Sequence, residues 1–347
     1  MEEFDFVKLF LKKLEEKTPN WYVKGIIDSD DNIITLGTDS KLIGRIFELK
    51  TNSLLQEIAD EHEGYLLRKP GTQTEYPDFY YECPDGKRIA IDIKTTYLDV
   101  EDSEKKNLKK DIWYTLGSYK SFLQDGKKNI SGTYDDYKLH YVIGFVYDRL
   151  KSSEDGQVIP YSADTLSEMK CPYGNVRVWV QEKYKITGLT EKSGNTTNIG
   201  SITSRSIDEF INGKGPFSAL NKCICDDYWR NYKKKTTYKT VEEYFIWAKD
   251  NSELSIDFDE QKGLFEEWRR KNCPSKEDLL IMALKVLHAK GPKGGEKGLW
   301  AKFDDKEICV ASKEPTVSEY IVFCNDNKSY RTKCVDENRF QALKIKG

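Results

Sequence analysis

The chain has 347 residues, 38% apolar and 33% charged, with 55 Lys plus Arg against 58 Asp plus Glu and a net charge of −3. That length spans about two domains and buries a sizeable core without staples. The near-balance of charge excludes a protein held on nucleic acid by bulk charge, but not one with a local basic surface. No run of 18 apolar residues is present to span a membrane. The acidic start Met1-Glu2-Glu3 does not read as a secretory signal, so a cytoplasmic protein is expected. Eight cysteines form no CxxC pair, and the histidines are only His62, His140 and His288. Reduced thiols and chemistry by carboxylates and lysines fit this better than a zinc site or a histidine base.

Residues 3–17 read as a helix, with Val7, Phe10, Leu11 and Leu14 at helical spacing. Strands are expected at Trp21–Ile27 and Asn32–Leu36, around the turn 28–31. A long helix, Ser40–His62, follows; Thr38 or Asp39 is placed to cap it. Its apolar stripe includes Ile43, Ile46, Phe47, Leu54, Leu55 and Ile58, with Glu48 beside it. Strands Asp78–Cys83 and Arg88–Thr96 flank Pro84-Asp85-Gly86-Lys87, which has turn chemistry. Residues 99–111 form a lysine-rich, exposed stretch. Leu139–Tyr147 suits a buried strand, and Asn175–Gln181 alternates like one. Residues 190–201 read as a polar loop, and short helices fit 206–212, 221–232 and 239–250. Beyond 251 the character changes. Helical segments at 259–271 and 275–289 lead to a Gly-rich linker at 291–298. Strands then follow at Leu299–Phe303, Glu307–Ala311, Tyr320–Cys324 and Ser329–Val335. Two parts are expected, 1–250 and a small α+β extension over 251–347.

The most informative stretch is Tyr76-Pro77-Asp78-Phe79 followed by Ile89-Ala90-Ile91-Asp92-Ile93-Lys94-Thr95. Strand alternation sends Ile89, Ile91 and Ile93 into a core and Ala90, Asp92 and Lys94 to the other face. An acid and a lysine on such a face are costly to bury unless paired or used. Asp78 lies close across the hairpin. Two carboxylates can hold a hard divalent cation such as Mg²⁺, with water and a phosphate completing its shell. With a lysine alongside, the set suits phosphodiester hydrolysis. A two-residue turn at Asp85-Gly86 would set Asp92 against Phe79 and turn Asp78 away. The site therefore requires an odd-length loop, a bulge, or Asp78 at the irregular start of its strand. Taken alone, Asp-x-Lys is more often an exposed ion pair and Pro-Asp a turn. The second stretch, Lys192-Ser193-Gly194-Asn195-Thr196-Thr197-Asn198, combines close backbone approach with amide groups able to read adenine. An ordinary surface loop has the same composition.

Leu36-Gly37-Thr38-Asp39-Ser40-Lys41, Ile46-Phe47-Glu48-Leu49, both stretches above, Thr115-Leu116-Gly117 and Asp227-Tyr228-Trp229-Arg230-Asn231-Tyr232 occur in one order. In this the chain resembles the EcoRV family of type II restriction endonucleases, within the PD-(D/E)xK nuclease superfamily, through most of 20–250. The resemblance implies an α/β restriction-endonuclease-like fold with a central mixed β-sheet flanked by helices. It implies a homodimer on double-stranded DNA, with a partner methyltransferase protecting the host. It implies Mg²⁺-dependent cleavage at GATATC or a close variant, with blunt ends and 5′-phosphates. Asp78, Asp92 and Lys94 match the catalytic set, with Asp78 and Asp92 as metal ligands and Glu48 at an alternative metal position. Lys192, Ser193, Gly194, Asn195, Thr196 and Asn198 match the base-reading loop. Gln73 and Thr74 match a minor-groove loop. Lys41, Thr95, Thr96, Tyr97, Thr115, Ser121 and Lys128 match positions near the DNA backbone. Lys192 departs from the family's glycine, residues 72–75 differ at most positions, and 251–347 has no counterpart. A structure-specific or nicking nuclease, a catalytically silent DNA-binding protein, or a functional tail on a scaffold core are the rival expectations.

Overall fold

The computed structural model describes residues 4–99, 111–150, 155–192, 197–234 and 238–272, and five strands between 299 and 344. The chain divides into two compact units, Met1–Lys262 and Gly263–Gly347. The division falls within a helix, later than the change of sequence character at 251.

The first unit opens with α1 (Phe6–Lys17), β1 (Gly25–Ile27), β2 (Asn32–Thr35) and α2 (Ser40–Asp60). Asp39 caps α2, accepting from the backbone N–H of Lys41 at 2.8 Å and Leu42 at 2.9 Å. Next come β3 (Leu66–Arg68), β4 (Phe79–Glu82), β5 (Arg88–Asp99), β6 (Thr115–Ser118) and β7 (Tyr137–Arg149). Then follow β8 (Val158–Pro160), α3 (Ala163–Glu168), β9 (Tyr173–Glu182), α4 (Lys183–Ile186), β10 (Thr187–Glu191) and β11 (Asn198–Ser201). Helices α5 (Asp208–Ile211), α6 (Lys222–Asn231), α7 (Val241–Asn251) and α8 (Phe258–Asn272) complete the series.

A five-stranded sheet in the order β3-β4-β5-β7-β9 is the frame. β5 and β7 run parallel and the other pairs antiparallel, so the sheet is mixed, as expected. A central strand covered on both faces reads as one apolar run, which explains the sequence of β7. Phe6, Phe10, Ile43, Phe47, Leu54, Leu55 and Ile58 of α1 and α2 pack with Ile89, Ile91, Ile93, Phe145 and Tyr147. Alternation leaves Ala90, Asp92 and Lys94 on the opposite face, in register with His140, Val142 and Gly144 of β7. On that side Trp179 packs against Tyr114 and Phe210. A Cβ on Gly144 would lie 1.9 Å from the Trp179 ring, so β7 needs glycine there. Two smaller sheets, β1-β2-β8 and β10-β11-β6, complete the unit.

Three expectations are corrected. Trp21–Lys24 is not strand: Trp21 O and Val23 N bond instead to the Tyr173 hydroxyl, which takes the place of a neighbouring strand. Residues 190–201 are not one loop, since β10 reaches Glu191 and β11 begins at Asn198. Gly200 lets these strands meet; its Cβ would lie 2.6 Å from Thr190 O. Asp78 stands just outside β4. The short strands β3, β6 and β8 were not expected. Most of the lysine-rich stretch (100–110), the helix expected at 275–289 and the linker at 291–298 lie outside the described residues.

The second unit holds β12 (Leu299–Phe303), β13 (Lys306–Ala311), β14 (Tyr320–Asn325), β15 (Lys328–Asp336) and β16 (Arg339–Lys344). They form one sheet, ordered β12-β13-β16-β15-β14, with β13 and β16 parallel. Four of these were expected; β16 was not. Among the described residues no helix is long and apolar enough to cross a membrane. The described cysteines Cys83, Cys171, Cys223 and Cys225 are free thiols.

Candidate active site

The hairpin β4–β5 sets the geometry. Phe79 faces Ile91, Tyr80 faces Ala90 and Tyr81 faces Ile89. Extended by one residue, that register brings Asp78 opposite Asp92, on one face of the sheet. The parity follows from an odd loop, Pro84-Asp85-Gly86, closed by Cys83 N–H donating to Lys87 O at 2.9 Å. Gly86 turns it at φ +75. β4 stops at Asp78 for a chemical reason. Pro77 has no N–H to extend the ladder. The Asp78 carboxylate fills in, its Oδ2 accepting from Ile93 N–H at 2.6 Å.

Asp92 is 3% exposed. Lys94 Nζ lies 2.7 Å from its Oδ2. The two form a close ion pair on that face of the sheet. Burial, and then the charge of Asp92, push the Asp78 carboxyl up to about 7; Lys94 and the Ile93 N–H oppose this, and Glu48 adds to it. Burial works against the Lys94 ammonium, but the Asp92 and Asp78 carboxylates outweigh it and raise its pKa. Two carboxylates close enough for one charge to raise the pKa of the other make a fitting seat for a hard cation. Among the described residues no three His, Cys, Asp or Glu side chains cluster as a metal cage. Asp78 and Asp92 are the two carboxylates that could hold a cation, which would leave room for water and phosphate ligands.

Glu48, on α2, is paired with Arg45 Nη1 at 2.5 Å. Its charge still reaches Asp78 and Lys94. Thr95, Thr96 and Tyr97 do not share a face. Thr96 follows Lys94, whereas Thr95 lies over Gly44 of α2 and Tyr97 lies under the Arg149 guanidinium, 4.2 Å from ring to Cζ. Lys41, Gln73, Thr74 and Lys128 are exposed. Thr115 faces Gly200 across β6 and β11. Ser121 sits in a π-helical turn over Lys120–Asp125. Asn198 opens β11 opposite Ser118. Lys192 N–H donates to Asn198 O at 3.2 Å, so it is spent within the loop, and Lys192 Nζ lies 5.7 Å from the Trp113 ring centre. Ser193, Gly194, Asn195 and Thr196 lie outside the described residues.

Tyr76, His140 and Lys183 form a buried cluster on the Asp92 face that was not expected from the sequence. No local sequence pattern signals the burial of Lys183, which begins α4 just after β9.

The sequence model of the family described as "Restriction endonuclease EcoRV" matches residues 17–249. The chain belongs to the EcoRV restriction endonuclease family. It is 38% identical over 244 residues to the type II restriction enzyme EcoRV of Escherichia coli, covering 68% of this chain and 95% of that enzyme. The EcoRV-like chain is thus a type II site-specific deoxyribonuclease with a restriction-endonuclease-like fold, and DNA is its substrate. The family match ends at 249, before the second unit begins.

Proposed function

We propose that this endonuclease cuts both strands of a short palindrome, GATATC or a close variant, with Mg²⁺, leaving blunt ends. The observation that carries this is the convergence of Asp78, Asp92 and Lys94 on one sheet face. Asp78 and Asp92 are the residues that would hold the cation. Bound there, it would polarise the scissile phosphate and acidify a water. Lys94 presents an ammonium to the negative charge that grows on the phosphate in the transition state. The water oxygen bonds to phosphorus in line as the 3′ oxygen leaves with a proton. The products are a 5′-phosphate and a 3′-hydroxyl.

Glu48 stands by as an alternative ligand once released from Arg45. Residues 192–198 read bases in the major groove, and Gln73 and Thr74 follow the minor groove. Lys41, Thr95, Thr96, Tyr97, Thr115, Ser121 and Lys128 lie along the backbone and fix register. A palindrome read by two copies related by a two-fold axis makes a homodimer the natural assembly. A methyltransferase acting on the same site protects the host.

The test is digestion of a sequenced plasmid with Mg²⁺, with chelator as control and the ends mapped. Blunt, discrete double-strand fragments ending within GATATC are expected. Cuts mapping elsewhere reject the target, nicks alone reject double-strand cleavage, and intact DNA rejects the catalytic assignment.

A further inference from the structure

We infer that Lys183 is a positioning residue for the Asp78–Asp92 pair, holding the segment that carries Asp78 by means of a buried, caged ammonium. The inference rests on the nuclease reading above. Lys183 is 4% exposed, yet its Nζ makes no hydrogen bond. Three rings surround it instead: Tyr76 at 5.0 Å, Tyr134 at 5.5 Å and Phe122 at 5.8 Å from ring centre to Nζ. Ring faces attract a cation specifically.

The cage is tied to the site through Tyr76, two residues before Asp78. Its main chain is clamped on both sides, Tyr76 N–H donating to Asn129 O and Ser131 N–H to Tyr76 O, both at 2.9 Å. Its hydroxyl lies 2.7 Å from His140 Nδ1. A shift of this ring carries Pro77 and Asp78 with it. A cavity of about 10 Å³, room for one water, is lined by Lys183, His140, Asp226 and Trp229. The ammonium is thus almost cut off from solvent. Burial pushes it down to about 8, while the charges of Asp92 and Asp226 hold it up and Lys94 opposes them. A buried cation without an ion-pair partner costs stability. Such a group fits an active-site role better than a role in holding the fold.

That difference supplies the test. Lys183→Met keeps the volume and removes the charge, and Lys183→Arg keeps a cation able to stack on rings. Each full-length variant is melted in chelator, titrated with duplex DNA without metal, and assayed for plasmid cleavage at pH 7 with saturating DNA and Mg²⁺. The Met variant is expected to melt at or above the wild-type temperature and to bind DNA equally well. It should cleave roughly 10- to 100-fold more slowly, the loss expected of a misplaced group. The Arg variant should recover most of that loss. Wild-type cleavage by the Met variant would overturn the inference. So would a large fall in melting temperature with DNA binding and cleavage lost together, or an Arg variant no faster than the Met one. A wild-type protein that cuts no DNA would instead reject the nuclease reading.

Discussion

Replacing Asp78 by Asn should stabilise the metal-free protein at high pH while abolishing cleavage. An ordinary aspartate titrates at 3.8, and burial with the neighbouring Asp92 charge holds Asp78 at about 7. Between these values the folded chain keeps a proton that the unfolded chain has lost. Stability therefore falls as pH rises from about 4 to about 7 and is level above that. The gap corresponds to about 4 kcal/mol. Asparagine cannot ionise, and its side-chain oxygen can still accept from Ile93 N–H, the bond now made at 2.6 Å. The assay is thermal melting of both proteins in chelator at pH 5 and pH 8. The variant should gain on the wild type between these pH values by up to roughly 10 °C, at about 2–4 °C per kcal/mol. Added Mg²⁺ should then raise the wild-type melting temperature at pH 8 and leave the variant nearly unmoved, because the cation relieves a repulsion the variant lacks. A stability difference that does not change with pH, or one that moves against the variant at pH 8, would refute the reasoning.

Other consequences are direct. Lys94→Ala should still bind duplex DNA in a gel-shift assay but cleave about 10²–10³-fold more slowly, since the ammonium beside Asp92 is gone. Gly144→Ala should lower stability by about 1–3 kcal/mol in urea titration, because the new methyl would lie 1.9 Å from the Trp179 ring. A chain ending at residue 272 should cleave plasmid as the full chain does, since the family match ends at 249; loss of cleavage with a preserved melting transition would place the second unit in the activity.

Much of the site was legible because its signals are local. Ile89, Ile91 and Ile93 fix which face of β5 is buried, and the other face must then hold Asp92 and Lys94. The parity of the hairpin could also be argued beforehand, because only an odd loop or an irregular strand start lets Asp78 meet Asp92. The protein uses both: the loop is Pro84-Asp85-Gly86, and β4 begins one residue after Asp78. What the alternation could not supply was the reason β4 stops, which is the Asp78 side chain replacing a ladder acceptor for Ile93. Strands of three or four residues such as β3, β6 and β8 are too short to show a period. β10 and β11 were hidden because their small polar residues pair well only where glycine lets the backbones meet.

Lys183 was hidden for a different reason. Between Glu182 and Tyr184 it resembles any solvated lysine, and nothing nearby in sequence announces three rings drawn from residues 76, 122 and 134. Its burial is a product of tertiary packing alone. Local pattern thus identifies the candidate catalytic groups, because Asp92 and Lys94 share one face of a strand. The groups that hold them are chosen by packing and can come from anywhere in the chain, so the supporting half of such a site emerges only once the chain is folded.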